Sequence, residues 1–467
     1  MTGPMTARTM KVPAPLEAAT AEAELSALVA SVAAQAVPGE QIEAIASSGT
    51  STRVRAYGGQ VEDLTCATSA GMGVRVVVDG RQGFASTGSL DPDLVTEALG
   101  EARDNARFAA PDAANGLAAP DGVAPAELDL LRPELSTVAI ADKVALALEL
   151  KRLATSGDAR IRGVRSAVYA DSVGSSALAT STGLLAAGSS STCYVTVLVL
   201  AGDGDATQTG GGSSVGRTVT DLDLDEAADQ AVNRAVRMLG ARQPPTQRTT
   251  VVLEPAVAAS FLGIIGSTLG GEAVLKGRSP FADRVGEQVA SPHLVLVDDP
   301  TDPRSLAADP HDGEGLASRR NELLSDGVLQ GYLHNTWSAR RSGTASTASA
   351  VRGVGSTPAA GARALALRPG PLGPDELRAS LGDCLVVTEV QGLHSGVNRV
   401  SGDFSVGARG VLVRRGEPAG AVREVTIAST LQRMLLDVVA VGSDLEWQPG
   451  GTGAASLAIA DVSLSGS

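Results

Sequence analysis

The sequence predicts an α+β protein, built as two halves of antiparallel sheets with flanking helices, the C-terminal half mostly β. Three observations predict it. Strand-length apolar runs rich in Val, Leu and Ile are separated by Gly, Asp and Ser turn signals. Helical spacing of apolar residues appears in only a few isolated stretches. There is no strand–helix–strand alternation and no repeat of fixed period.

The elements follow in order. Residues 14–37 are Ala-rich, with Leu16, Leu25, Leu28 and Val32 at helical spacing, so a helix is expected there. A strand at 41–47 leads into a run of antiparallel strands, with turns expected at Gly58-Gly59, Ser69–Gly73 and Asp79-Gly80. Asp91 is placed to cap a helix that Pro92 opens and that runs to about Phe108. Residues 110–134 have the Pro, Ala and Asp content of a linker. Ser136 is expected to cap a second helix, to about Leu153. Three strand segments follow in 161–201, and their many small residues suggest a sheet packed closely against something else. The tract 202–216 (GDGDATQTGGGSSVG) reads as a flexible Gly/Ser loop, and a helix from Leu224 to Leu239 closes this half.

The tract 240–248 is the expected boundary, because Pro244-Pro245 cannot continue a helix. This gives an N-terminal helix and extension over 1–39, an α+β region over 40–240, and a β-rich domain over 249–467. The last opens with a helix at 255–270, Pro255 in its first position, and continues in strands with turns at Asp326-Gly327 and Arg415-Gly416.

Composition narrows the function. The 467 residues are 43% hydrophobic, enough for a core, yet only 2% aromatic, so Ala, Val, Leu and Ile must fill it. Four lysines among many arginines fit a GC-rich coding sequence. The net charge of −14, with no dense basic run, argues against nucleic acid and anionic membranes as partners. Cys66, Cys193 and Cys384 are sparse and distant, no secretory leader is visible, and a reduced cytoplasmic setting is the expectation.

The residues offer no self-evident catalytic constellation. The four histidines, His293, His311, His334 and His394, never stand three or four apart, so no helix presents two imidazoles to one metal. No G-x-S-x-G elbow occurs, the Gly-rich tract lacks the P-loop Lys-Ser/Thr, and Asp203 and Asp205 lack the remaining EF-hand ligands. Carboxylates gather at Asp298-Asp299, at Asp309/Asp312/Glu314, and at Glu389 ahead of Asp403. The third group lies in a polar stretch, 389–405, that also holds His394, Gly396, Asn398 and Arg399. Glu389, His394, Gly396, Asn398 and Asp403 are therefore the candidates for facing a substrate or a partner.

Four segments in order carry a resemblance: GVRVVVDGRQGFASTGSL from Gly73, FADRVGEQVASPHLVLVDDPTDP from Phe281, HDGEGLASRRNELLSDGVLQGYL from His311, and HSGVNRVSGDFSVGARG from His394. Together the chain resembles the TldD/TldE (PmbA) family from about residue 40 to 465. In that family the TldD type is a zinc metallopeptidase with HExxxH on the helix opening the C-terminal half. Here the helix centre reads Leu262, Gly263, Ile264, Ile265, Gly266, and Glu272 is the nearest carboxylate. The resemblance therefore implies a TldE/PmbA-type subunit. It would carry no metal and no catalytic residue, pair with a TldD-type subunit that holds zinc, and act on small or unfolded peptides, natural-product precursors included. Two alternatives remain: a biosynthetic pair acting on a peptide-like intermediate without proteolysis, and a purely structural interaction protein.

Overall fold

The computed structural model describes residues 18–466. Residues 14–17 of the expected first helix, and the N-terminal stretch read for a leader, lie outside them. Helix α1 spans Ala18–Ala33 and buries Leu25, Val29 and Val32. Strand β1 (Glu40–Tyr57) turns at Gly58-Gly59 into β2 (Gln60–Val78), which turns at Asp79-Gly80 into β3 (Arg81–Thr87). Asp91 caps α2 (Pro92–Phe108), accepting from the backbone N–H of Asp93 at 3.0 Å. Replacing Asp91 by Ala is expected to cost about 1 kcal/mol of stability in denaturant titration, the usual value of such a cap.

Helix α3 is Ile140–Ser156, β4 is Ile161–Thr180, β5 is Leu185–Ala201, β6 is Gln208–Gly216 and α4 is Leu224–Val236. The six strands form one antiparallel sheet in the order β3-β2-β1-β4-β5-β6. Its two faces have different roles. Alternate residues Ala44, Ala46, Val54 and Ala56 of β1 face the helices, where they pack with Leu25 and Val29 of α1, Leu99 of α2, Leu150 of α3 and Ala231 of α4. The other set, Glu43, Ile45, Ser47 and Gly49, turns toward the C-terminal domain.

The C-terminal domain opens with β7 (Gln247–Leu253) and α5 (Pro255–Thr268). Strand β7 runs parallel to Cys384–Gln391 and antiparallel to Leu457–Ser465. The hairpin Asp403–Arg414 and Glu417–Thr430 extends this sheet, and Thr426–Ala428 also pair with Ser463–Ser465, which closes five strands into a ring. Val257, Phe261, Leu262 and Ile265 of α5 share one core with Val251, Leu385, Phe404 and Ile427, with Phe261 edge-on to Phe404 at 6.1 Å. A second, short-stranded sheet is built on Leu296–Asp298, Asn321–Ser325 and Leu365–Leu367.

Four local expectations are corrected. No turn interrupts Ser69–Gly73, because β1 holds β2 in unbroken register from Asp63 to Val78. The small residues there answer to tertiary packing: a Cβ on Gly73 would overlap the carbonyl of Val354. The segments of 161–201 are two long strands with a single turn at 181–184. The Gly-rich tract is largely strand β6. Ser136 caps no α-helix: it lies in a 3-10 turn, Pro133–Thr137, and its hydroxyl bonds the Pro133 carbonyl at 2.7 Å.

Candidate functional site

The open face of the N-terminal sheet is paved with small residues by strand register. Ser47 of β1 stands opposite Ser176 of β4, which stands opposite Gly188 of β5. The next row on this face is Gly49, Gly174 and Ser190, and the one after is Ser51, Ser172 and Thr192. The C-terminal domain roofs this floor with the turn Asp309–Gly313 and the segment 350–354. Two adjoining hollows result, of about 300 and 270 Å³, sharing Ser47, Ser176, Gly188 and Asp309. The hydroxyls of Ser47, Ser172, Ser176 and Ser190 have no hydrogen-bond partner among the described residues. The cleft thus offers unused donors and acceptors over a flat floor.

The roof is pinned by buried charge. Asp312 accepts backbone N–H groups of Glu314 at 2.9 Å and Leu316 at 3.0 Å with one oxygen, and of Ala350 at 3.0 Å with the other. Glu314 accepts the N–H and the hydroxyl of Thr336 at 2.8 and 2.7 Å. Burial raises both carboxyls above their ordinary range, against the pull of Arg363 on Asp312 and of Arg75 on Glu314. Glu43 of β1 ties floor to roof. It pairs with Arg75 of β2 at 2.6 Å and with Arg352 of the roof, and the side chains of Glu43 and Arg352 are 0% exposed. Burial alone would raise Glu43, but the two guanidinium groups hold it below the usual glutamate range.

The residues singled out in 389–405 lie elsewhere. Glu389 sits on the strand Cys384–Gln391 and pairs with Arg409, whose other contact is the Thr209 hydroxyl of β6 at 2.7 Å. Both line a separate hollow of about 310 Å³ between the two domains. His394 is exposed on a one-turn helix, Leu393–Gly396. The structure does bring Asn398 and Asp403 together, as turn builders: the N–H of Asn398 donates to the Asp403 carbonyl at 2.9 Å. Their side chains accept from Val400 N–H at 2.9 Å and the Ser401 hydroxyl at 2.6 Å. Gly396 packs with no room for a Cβ beside the Ser405 carbonyl. None of the five lines the serine cleft. Sequence reasoning noted the roof carboxylates Asp309 and Asp312 without assigning them a role, and missed the floor residues, whose one signal was the recurrence of Ser and Gly in 161–201.

Three models of one family match in sequence order: PmbA/TldA metallopeptidase domain 1 over residues 42–110, the central domain over 133–239, and the C-terminal domain over 246–466. The chain belongs to the PmbA/TldD metallopeptidase family. Metalloprotease PmbA of Escherichia coli O157:H7 is 29% identical over 408 residues, 86% of this chain and 88% of that one. A metalloprotease of Methanothermobacter thermautotrophicus is 26% identical, covering 83% and 84%. TldE from Thermococcus kodakarensis superposes with a TM-score of 0.85 at 21% identity, over 91% of this chain and 97% of that one. A Thermotoga maritima protein described as a candidate modulator of DNA gyrase gives 0.86 at 24% identity, over 95% and 100%. These establish the fold.

A metallopeptidase family implies zinc, and the exposed face of α5 does not offer the donors that zinc takes. The exposed face of α5 presents Ser260, Gly263 and Ser267, none of which supplies imidazole, thiolate or carboxylate. Among the described residues, no group of three or more His, Cys, Asp or Glu is placed to hold a metal ion. Burial lowers the pKa of both His311 and His334. No helix of the described residues is long and apolar enough to cross a membrane.

Proposed function

We propose that this chain is the metal-free, TldE/PmbA-type subunit of a heteromeric TldD/TldE-type metallopeptidase that acts on small or unfolded peptides. The outward face of α5 carries this reading: where zinc peptidase chemistry needs nitrogen and carboxylate donors, it has two hydroxyls and a glycine. Zinc on the TldD-type partner supplies Lewis-acid activation of water. This chain supplies the serine cleft, whose unpartnered hydroxyls suit the amide groups of an extended peptide. The exposed loop with His394, Asn398 and Asp403, and the Glu389–Arg409 hollow flanked by Ala256 of α5, are its partner-facing elements.

The test is to purify the chain alone and with the TldD-type protein from the same genome, then measure zinc and peptide hydrolysis. The chain alone is expected to hold no stoichiometric zinc and to cleave nothing; the pair is expected to hold zinc and cleave. About one tightly bound zinc per isolated chain, lost in His394→Ala, would sink the reading, because tight binding needs preorganised ligands. A pair that alters a peptide-like substrate without hydrolysing an amide would move the assignment to the biosynthetic alternative.

A further inference from the structure

Where the two hollows of the cleft meet, the shared residues form a small, chemically distinct seat. Asp309 comes from the roof, Ser47 and Ser176 from the floor, and Gly188 completes the row. One Asp309 oxygen accepts the backbone N–H of His311 at 2.8 Å. The other receives no hydrogen bond from the described residues.

The two arginines that line the larger hollow are engaged with other acceptors. Arg352 spends its guanidinium on Glu43 and on the Ser356 carbonyl, at 3.1 Å for the latter. Arg363 donates to the His311 carbonyl and the Ser318 hydroxyl, both at 2.7 Å. Their remaining nitrogens, Nη2 of Arg352 and Nε of Arg363, are buried away from solvent. What opens into the cleft is one carboxylate with a free oxygen, the imidazole of His311 and a set of hydroxyls. The one charged group in that set is a carboxylate, which favours a cation, and the hydroxyls can accept hydrogen bonds from the same cation.

We propose that the cleft holds the amino-terminal end of an extended peptide, its α-ammonium bound by Asp309, Ser47 and Ser176. Three acceptors meet three N–H donors. The seat is open because a Cβ built on Gly188 meets nothing within 4 Å. From it the peptide continues over the floor toward Gly49, Gly174 and Ser190. Same-face residues of a strand recur about every 6.8 Å, so successive floor rows keep step with alternate peptide residues. The proposal adds a terminus and a direction to the peptide role argued above and rests on that role.

The experiment is calorimetric titration of the full chain with tetra-alanine, N-acetyl-tetra-alanine and tetra-alanine amide. Tetra-alanine and its C-terminal amide are expected to bind alike, and acetylation to weaken binding at least about tenfold. Asp309→Asn is expected to weaken tetra-alanine to the level of the acetylated peptide. Gly188→Leu fills open space, so it should fold normally by circular dichroism and yet abolish binding of all three. Equal binding of the acetylated peptide, loss of binding on C-terminal amidation instead, unchanged binding by Gly188→Leu, or no binding of any peptide would each overturn the proposal. Hydrolysis of peptides by the assembled pair, unaffected by Gly188→Leu, would overturn this seat while leaving the subunit assignment standing.

Discussion

Replacing Glu43 by Ala is expected to destabilise the protein by about 3–5 kcal/mol, the usual cost of removing one partner from a buried ion pair. The buried set is balanced as it stands, with Glu43 and Glu314 against Arg75 and Arg352. Without Glu43, the roof arginine loses its one carboxylate partner among the described residues, and Arg75 keeps Glu314 at 3.6 Å and the Gln82 amide oxygen at 3.3 Å. Burial forbids water from replacing the lost charge. Because Arg352 belongs to the roof and Glu43 to the floor, the loss should fall on the union of the two domains. Urea denaturation at neutral pH measures it, and a second transition would show the domains parting. The pH dependence has a defined sign. A carboxyl held below its unfolded value contributes stability above the ordinary glutamate range and loses it as pH falls through the depressed value. The gap between the parent and Glu43→Gln should therefore narrow in acid. Glu314→Gln should cost less than Glu43→Gln at neutral pH, since burial raises the Glu314 carboxyl and already disfavours its charge.

The parts of this fold that could be read from sequence are those fixed locally. Gly58-Gly59 and Asp79-Gly80 close hairpins because the turn chemistry is contained in the residues themselves. Asp91-Pro92 opens α2 because cap and first turn are neighbours in sequence. The family resemblance likewise rested on contiguous segments. The serine cleft could not be read that way. Its floor needs the pairing of residues 47, 176 and 188, and its roof comes from a turn 121 residues further on, at Asp309. The stretch 389–405 is dense in polar groups, but Asn398 and Asp403 use their side chains to build a turn. Polar density in a loop reports backbone groups that need partners as readily as it reports a ligand.

The Gly-rich tract gives the other large expected effect. Read as a flexible loop, it should accept side chains freely; as β6 it should not. A Cβ on Gly212 would overlap the Ala227 carbonyl of α4, and one on Gly210 the Ala231 carbonyl. The facing side of α4 is itself small, with Ala227, Ala228, Ala231 and Ala235 buried. Strand and helix therefore touch backbone to backbone. Gly212→Val is expected to cost about 3 kcal/mol, the upper end of ordinary overpacking, because neither a strand nor a helix axis can yield as a side chain does. Gly211 is the control. It points to the opposite face, and a Cβ there meets its nearest atom, the Val197 carbonyl oxygen, only at 3.8 Å. Gly211→Ala should be neutral or stabilise by up to about 1 kcal/mol, through a less flexible unfolded chain. The damage at Gly212 should also travel. Thr209, three residues back on β6, receives Arg409 from the C-terminal domain at 2.7 Å, so displacing β6 pulls on that link as well. Denaturant titration of both variants decides the matter: equal stability for Gly212→Val and Gly211→Ala would mean that the tract is a loop after all.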